Sequence, residues 1–190
     1  NMHQHEGLPV VIVPDGLEVE FLSGKKIIHP SHIYKSVLDF VLKEFKYSNI
    51  LLAPANHFGT GKYEEDVAFQ YCKTQNPNIK SLYKPNRPDK NGYIDTRGNA
   101  RELRDALVLD DMWPETGIIL VSAELHSRRA LICFKKEGFH VSESIAVKCA
   151  STNKFKLVNR LWYYRYPDIH RLYEMLATIL DLLRPRREFL

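Results

Sequence analysis

The absences in this chain narrow its chemistry first. No stretch of its 190 residues approaches the roughly 18 consecutive apolar residues that a membrane-crossing helix needs, so no transmembrane segment is expected. The opening Asn1-Met2-His3-Gln4-His5-Glu6 has no basic region followed by an apolar one, so no secretory leader is expected there. Cysteine is scarce. Cys72, Cys133 and Cys149 are odd in number and share no metal-ligand spacing, which fits reduced thiols in a cytoplasm. Internal repeats, low-complexity tracts and interdomain linkers are missing, so residues 1–190 read as a single domain. A domain of that length buries roughly 70% of its unfolded surface. The net charge of +4 is too mild to argue for nucleic acid and points instead to solubility.

Several catalytic signatures are missing as well. There is no Gly-x-Ser-x-Gly elbow, no His-Glu-x-x-His and no defensible Ser/His/Asp order. His29 and His32 show no metal spacing, and no metal site is expected. Phe58-Gly59-Thr60-Gly61-Lys62 lacks the full phosphate-loop spacing, though backbone N–H groups of a Gly-rich turn can still cradle an anion. Trp162-Tyr163-Tyr164-Arg165-Tyr166 mixes rings with bases, a pattern that more often packs under a helix than stacks on nucleotides.

What is present is an alternation of strands and helices. Buried strands are expected at Leu8–Val13, Ile50–Ala53 and Gly117–Ser122, with further strands within 79–83 and 139–147. Ser31 caps a helix to about Phe45, and another runs from Lys62 to Gln75 with Glu64, Glu65 and Asp66 in its first turns. Asp95 or Thr96 caps a helix from about Asn99 to Leu109. A helix after Ser122 ends at Gly138, and Ile169–Leu183 forms an amphipathic helix followed by a basic tail, Arg184-Pro185-Arg186-Arg187. The alternation predicts a three-layer α/β domain with a mostly parallel sheet and helices on both faces.

In such a sheet, ligands bind beyond the carboxyl ends of the strands, where helix N-termini present unpaired N–H groups. Four polar clusters fall at strand ends or helix starts: Asp15-Gly16; Asn56-His57 with the Gly59-Thr60-Gly61 turn; Asp95 to Asn99; and Glu124 to Arg129. His126 and Arg129 are three apart at a helix start and face one side. Arg129 suits a bidentate grip on a phosphate or carboxylate, or it pairs internally with Glu124 or Asp95. His126 is the acid/base candidate. Thr96, Asn99, Asp15, Asn56, His57 and Glu64 are the remaining candidate ligand-binding residues.

The order of these elements resembles the bacterial SanA/YdcF/ElyC-like family, a domain of poorly defined function. The resemblance rests on Glu64 within Tyr63-Glu64-Glu65-Asp66, on Thr96-Arg97-Gly98-Asn99-Ala100, and on His126-Ser127-Arg128-Arg129-Ala130 after Leu-Val-Ser; it spans about residues 10–147. Gly98 stands where the family usually has Glu, and its Gly-rich turns are Pro14-Asp15-Gly16 and Pro54-Ala55-Asn56-His57 here. The resemblance implies a Rossmann-like fold with a polar pocket, a link to the cell envelope and S-adenosylmethionine as a conceivable ligand.

Three readings follow. The first is a cytoplasmic protein that binds a small anionic nucleotide- or phosphate-bearing metabolite, with hydrolysis or group transfer as the fitting reaction. The second is a non-catalytic ligand-binding or regulatory module. The third sets the C-terminal helix and basic tail against an acidic partner or a membrane surface.

Overall fold

The structure is a computed structural model that describes residues 7–45, 47–79, 81–86, 92–149 and 156–185. The expectations for the opening segment Asn1 to Glu6 and for Arg186 and Arg187 of the tail lie outside these residues. The chain begins with β1 (Val10–Ile12), then a hairpin of β2 (Leu17–Leu22) and β3 (Lys25–Pro30). It continues through α1 (His32–Glu44), β4 (Ile50–Leu52), α2 (Glu64–Gln75), β5 (Leu82–Tyr83), α3 (Thr96–Leu109) and β6 (Ile118–Ala123). It finishes with α4 (Glu124–Lys136), β7 (Val141–Val147), β8 (Lys156–Leu157), a 3-10 segment at Asn159–Arg165 and α5 (Pro167–Leu183).

Five strands form a wholly parallel sheet in the order β5-β4-β1-β6-β7. β1 lies at its centre, with Val11 between Leu51 and Leu120. Strand alternation divides the core in two. Val10, Ile12, Ile50, Leu52, Ile119 and Val121 pack on Tyr34, Val37, Leu38 and Val41 of α1 and Ala68 and Cys72 of α2. Val11, Leu51, Ile118 and Leu120 pack on the opposite layer, Ala100, Leu103 and Leu107 of α3 and Ala130 and Phe134 of α4. This is the three-layer arrangement of a Rossmann-like fold. The runs Val-Val-Ile and Ile-Ile-Leu-Val are apolar throughout because both faces of these strands are covered.

The helix starts follow local chemistry. Ser31 Oγ accepts from Tyr34 N at 3.0 Å and donates to the Asp15 carbonyl, so one hydroxyl caps α1 and ties it to the end of β1. Asp95, rather than Thr96, caps α3 by accepting from Gly98 N at 2.8 Å. A Cβ on Gly98 would come within 2.9 Å of Ile94 Cβ, which accounts for glycine there. The first turn of α3 therefore starts at Thr96, three residues earlier than expected.

A second, antiparallel sheet of order β3-β2-β8 adds to the expected plan. Its hairpin turns at Ser23-Gly24, both with positive φ, and the alternation Leu17-Glu18-Val19-Glu20 is its sequence signal. Together with the 3-10 segment and α5, this sheet builds a cover beside the carboxyl edge of the parallel sheet.

Candidate functional site

After β5 the chain crosses to the other side of β1, which makes the ends of β1 and β6 the switch point of the sheet. Asp15 follows β1, Asn56 follows β4, Glu64 starts α2, Thr96 and Asn99 start α3, and His126 and Arg129 start α4. All seven line one small cavity of about 40 Å³, room for a few waters at roughly 10–15 Å³ each. His57 does not reach it. Its Nδ1 accepts from Gly59 N at 3.0 Å, and its ring faces an outer groove with Phe58, Tyr93 and Arg160. Arg128 is exposed, as its helical position requires.

Glu64 fastens two strand ends together. Its oxygens accept from Gly16 N at 2.5 Å and Asn56 N at 3.0 Å, and the neighbouring Glu65 accepts from Ala55 N at 2.9 Å. Burial pushes the Glu64 carboxyl up to about 8, against the pull of those two N–H groups. Asn56 spends its side-chain amide on backbone, donating to Ile94 O and accepting from Ile94 N, both at 2.9 Å. It holds the approach to α3 rather than facing a ligand. Asp15 accepts from Tyr164 OH at 2.5 Å through Oδ1, while Oδ2 has no hydrogen-bond partner. Burial raises its pKa, and the positive charges of His126 and His170 oppose that rise.

Around His126 the charges interlock. Nε2 lies 3.3 Å from Thr96 Oγ1. Nδ1 lies 3.2 Å from Glu174 Oε2, off the line of a good hydrogen bond, so this is an ion-pair contact. Burial is the largest influence on the imidazole and lowers its pKa, but the Glu174 and Asp15 carboxylates together outweigh it and the net shift is upward. For Glu174 burial raises most, and the His126, Arg129 and His170 charges together outweigh it, so its pKa falls. The two residues hold each other charged. Arg129 donates through Nε to Asp181 Oδ2 at 2.7 Å, with Nη1 3.8 Å from Glu174 Oε1. Of the internal partners considered from sequence, neither Glu124 nor Asp95 takes this guanidinium. Asn99 Oδ1 is buried without a partner.

Four contributors were not among the sequence candidates. Tyr164, His170, Glu174 and Asp181 all come from the C-terminal cover, and Tyr164 stacks on His170 with centroids 4.3 Å apart. The signal existed: residues 170, 174, 178 and 181 form a polar stripe at helical spacing in a helix that is apolar elsewhere beyond Arg171. Among the described residues, no group of three or more His, Cys, Asp or Glu is placed to hold a metal ion. Buried proton-holding groups facing a small cavity can bind a hydrogen-bonding anion and exchange a proton with it. Comparison with known proteins found no match among family models, curated proteins or solved structures.

Proposed function

We propose that the strand edge binds a small anionic metabolite, nucleotide- or phosphate-bearing, with His126 as acid/base and hydrolysis or group transfer as the fitting reaction. The observation that carries this reading is the meeting of seven polar residues at the switch point, with Asp15 Oδ2 and Asn99 Oδ1 buried and unpartnered. Both atoms are acceptors, so they call for a donor on the ligand, such as a hydroxyl of a sugar or of a protonated phosphate, while Arg129 and His126 face its charge. Arg129 and a protonated His126 supply the positive charge, and Thr96 and Asn99 orient the anion.

The carboxylates of Glu174 and Asp181 now stand where that anion would sit against Arg129. A phosphate group therefore competes with α5, and binding requires α5 to yield. The cavity is also far smaller than the roughly 300–1,000 Å³ of ordinary small-molecule sites. An adenosine-bearing group such as S-adenosylmethionine, which the SanA/YdcF/ElyC-like resemblance brings in, does not fit beside a seated α5. The three free cysteines support a reducing, cytoplasmic setting.

The second reading is a non-catalytic ligand-binding or regulatory module, linked through the same resemblance to cell-envelope metabolism. Internal neutralisation of Arg129 favours it, because the site is balanced without substrate. Calorimetry with inorganic phosphate and AMP, paired with a phosphate-ester turnover panel, tests both. Asp181→Asn should tighten phosphate binding and Arg129→Lys should weaken it, by about 1.5–3 kcal/mol for a charged hydrogen bond. Unchanged affinity in both removes the anion site. Turnover lost in His126→Gln supports the enzyme, and binding without turnover supports the module.

A further inference from the structure

α5 is turned the opposite way from an ordinary surface helix, whose apolar stripe faces the core. Its inward face carries His170, Glu174, Thr178 and Asp181. Outward point Ile169, Leu172, Leu176, Ile179 and Leu183, each 41% to 76% exposed. Their spacing of three, four, three and four residues is that of a heptad seam, the pattern by which helices pack on helices. Met175 and Leu180 widen the stripe on either side. Both charged residues between Leu172 and Leu183, Glu174 and Asp181, are buried against the body of the protein.

The area is that of an interface. The seven side chains of this stripe are each at least 41% exposed. Together they present on the order of 700 Å², close to the roughly 800 Å² per partner of a stable complex. The largest apolar patch on a typical monomer is about 300–600 Å².

We infer that this face is the interface of a symmetric homodimer, with α5 packed antiparallel on α5 of a second copy about a twofold axis at Leu176. The seam is nearly palindromic there, so Ile169 lies opposite Leu183 and Leu176 opposite itself. Exposed charges remain only at the ends, Asp168 and Arg171 in the first two turns and Arg184 just past the last. A parallel arrangement sets like charge beside like at both ends, whereas the antiparallel one leaves Arg184 with its own Asp95, 2.6 Å away, and Asp168 with Arg171. Helices that lie on a lipid surface share this spacing but carry Lys and Arg on their polar face. The polar face here carries Glu174 and Asp181. Because that face also covers the strand-edge cavity, the dimer holds the cover in place; the inference does not depend on what the cavity binds.

Sedimentation velocity on the purified chain tests it. The protein should sediment at twice its 22.1 kDa. Leu176→Glu and Leu176→Lys should each weaken self-association roughly 100-fold or more, since a dimer would bury the new charge unpaired. Leu176 is half exposed, so both variants should keep the wild-type circular dichroism spectrum. Mixing the two in equal amounts should restore a dimer, because the twofold axis sets position 176 against itself. A wild-type monomer at high micromolar concentration overturns the inference, as do charge variants that still dimerise alone. Flotation of a monomeric wild type on phosphatidylglycerol vesicles, lost in Leu176→Glu, overturns it in favour of a membrane surface.

Discussion

Arg129 Nε donates to Asp181 Oδ2 at 2.7 Å, joining the start of α4 to the end of α5 across 52 residues of sequence. Both side chains are nearly buried, at 8% and 2% exposure, so the pair is poorly screened by water. Removing one partner of a buried pair costs about 3–5 kcal/mol, because the other charge stays behind uncompensated. Asp181→Asn should fall at the lower end of that range, since Glu174 still faces Arg129. Replacing both residues by apolar ones should recover much of the loss. Urea unfolding of the two single variants and the double variant measures the coupling, and additive losses would remove the pair as a fastening of the cover.

Tyr164 fastens the other end. Its hydroxyl is the donor to Asp15 Oδ1, and Asp15 Oδ2 has none. Tyr164→Phe therefore leaves a buried carboxyl without a side-chain donor, at a cost of about 1–3 kcal/mol. Amide exchange in the 3-10 segment should quicken in the same variant. Combining it with Asp15→Asn should cost less than the sum of the two single changes, because both remove one interaction. Equal stability of Tyr164→Phe and wild type would show the bond to be dispensable.

The parallel sheet and its helices were legible because strands covered on both faces must be apolar runs, and Ser31, Asp95 and Gly138 punctuate the helices. Convergence of Asp15, Asn56, His126 and Arg129 followed from topology, since parallel strands send their ends to one edge, whereas Thr96 and Asn99 entered through the family resemblance. The internal partner of Arg129 was not legible. Asp181 sits on a helix whose apolar stripe, read by periodicity, would ordinarily turn inward. Burial of the His126 and Arg129 charges reverses that preference, and pairing across 52 residues leaves no local pattern. His57 stays outside because a local bond from Gly59 N holds its ring, and Asn56 lines the cavity but spends its amide on the backbone of Ile94, 38 residues away.

Gly16 marks where the cover meets β1. Its φ is +96°, and a Cβ there would overlap Leu161 Cδ1 of the 3-10 segment. Left-handed backbone costs a residue with a Cβ roughly 1–2 kcal/mol before any clash. Gly16→Ala should thus destabilise by more than that and lift the Leu161 side. A compensating Leu161→Ala change should relieve the clash but not the backbone strain, so the double variant should stay below wild type. Thermal unfolding of the three variants decides it, and a fully stable Gly16→Ala would mean that the close contact does not persist in solution.

Glu64 sets the direction of the pH dependence. Its carboxyl has an ordinary value of 4.5 and is pushed up to about 8 in the fold, chiefly by burial. The folded state thus holds this proton more tightly than the unfolded chain does. Its stabilising effect is complete below pH 4.5, declines as pH rises toward 8 and is gone above that, at most about 1.4 kcal/mol per pH unit. Asp15 and His126 are also shifted upward and act in the same direction. Glu174 and Asp95 are shifted downward, so their contributions are present above their ordinary values and lost as pH falls through the lowered ones. His170, lowered by burial, works against the decline as pH rises through the ordinary imidazole range, so the fall in stability toward pH 8 rests mainly on Glu64. Glu64→Gln keeps the size of the side chain and one acceptor but cannot titrate. It should be less stable than wild type at pH 5 and show a flatter slope between pH 5 and 8. Urea midpoints across that interval measure the slope, and an unchanged slope in the variant would remove Glu64 as its source.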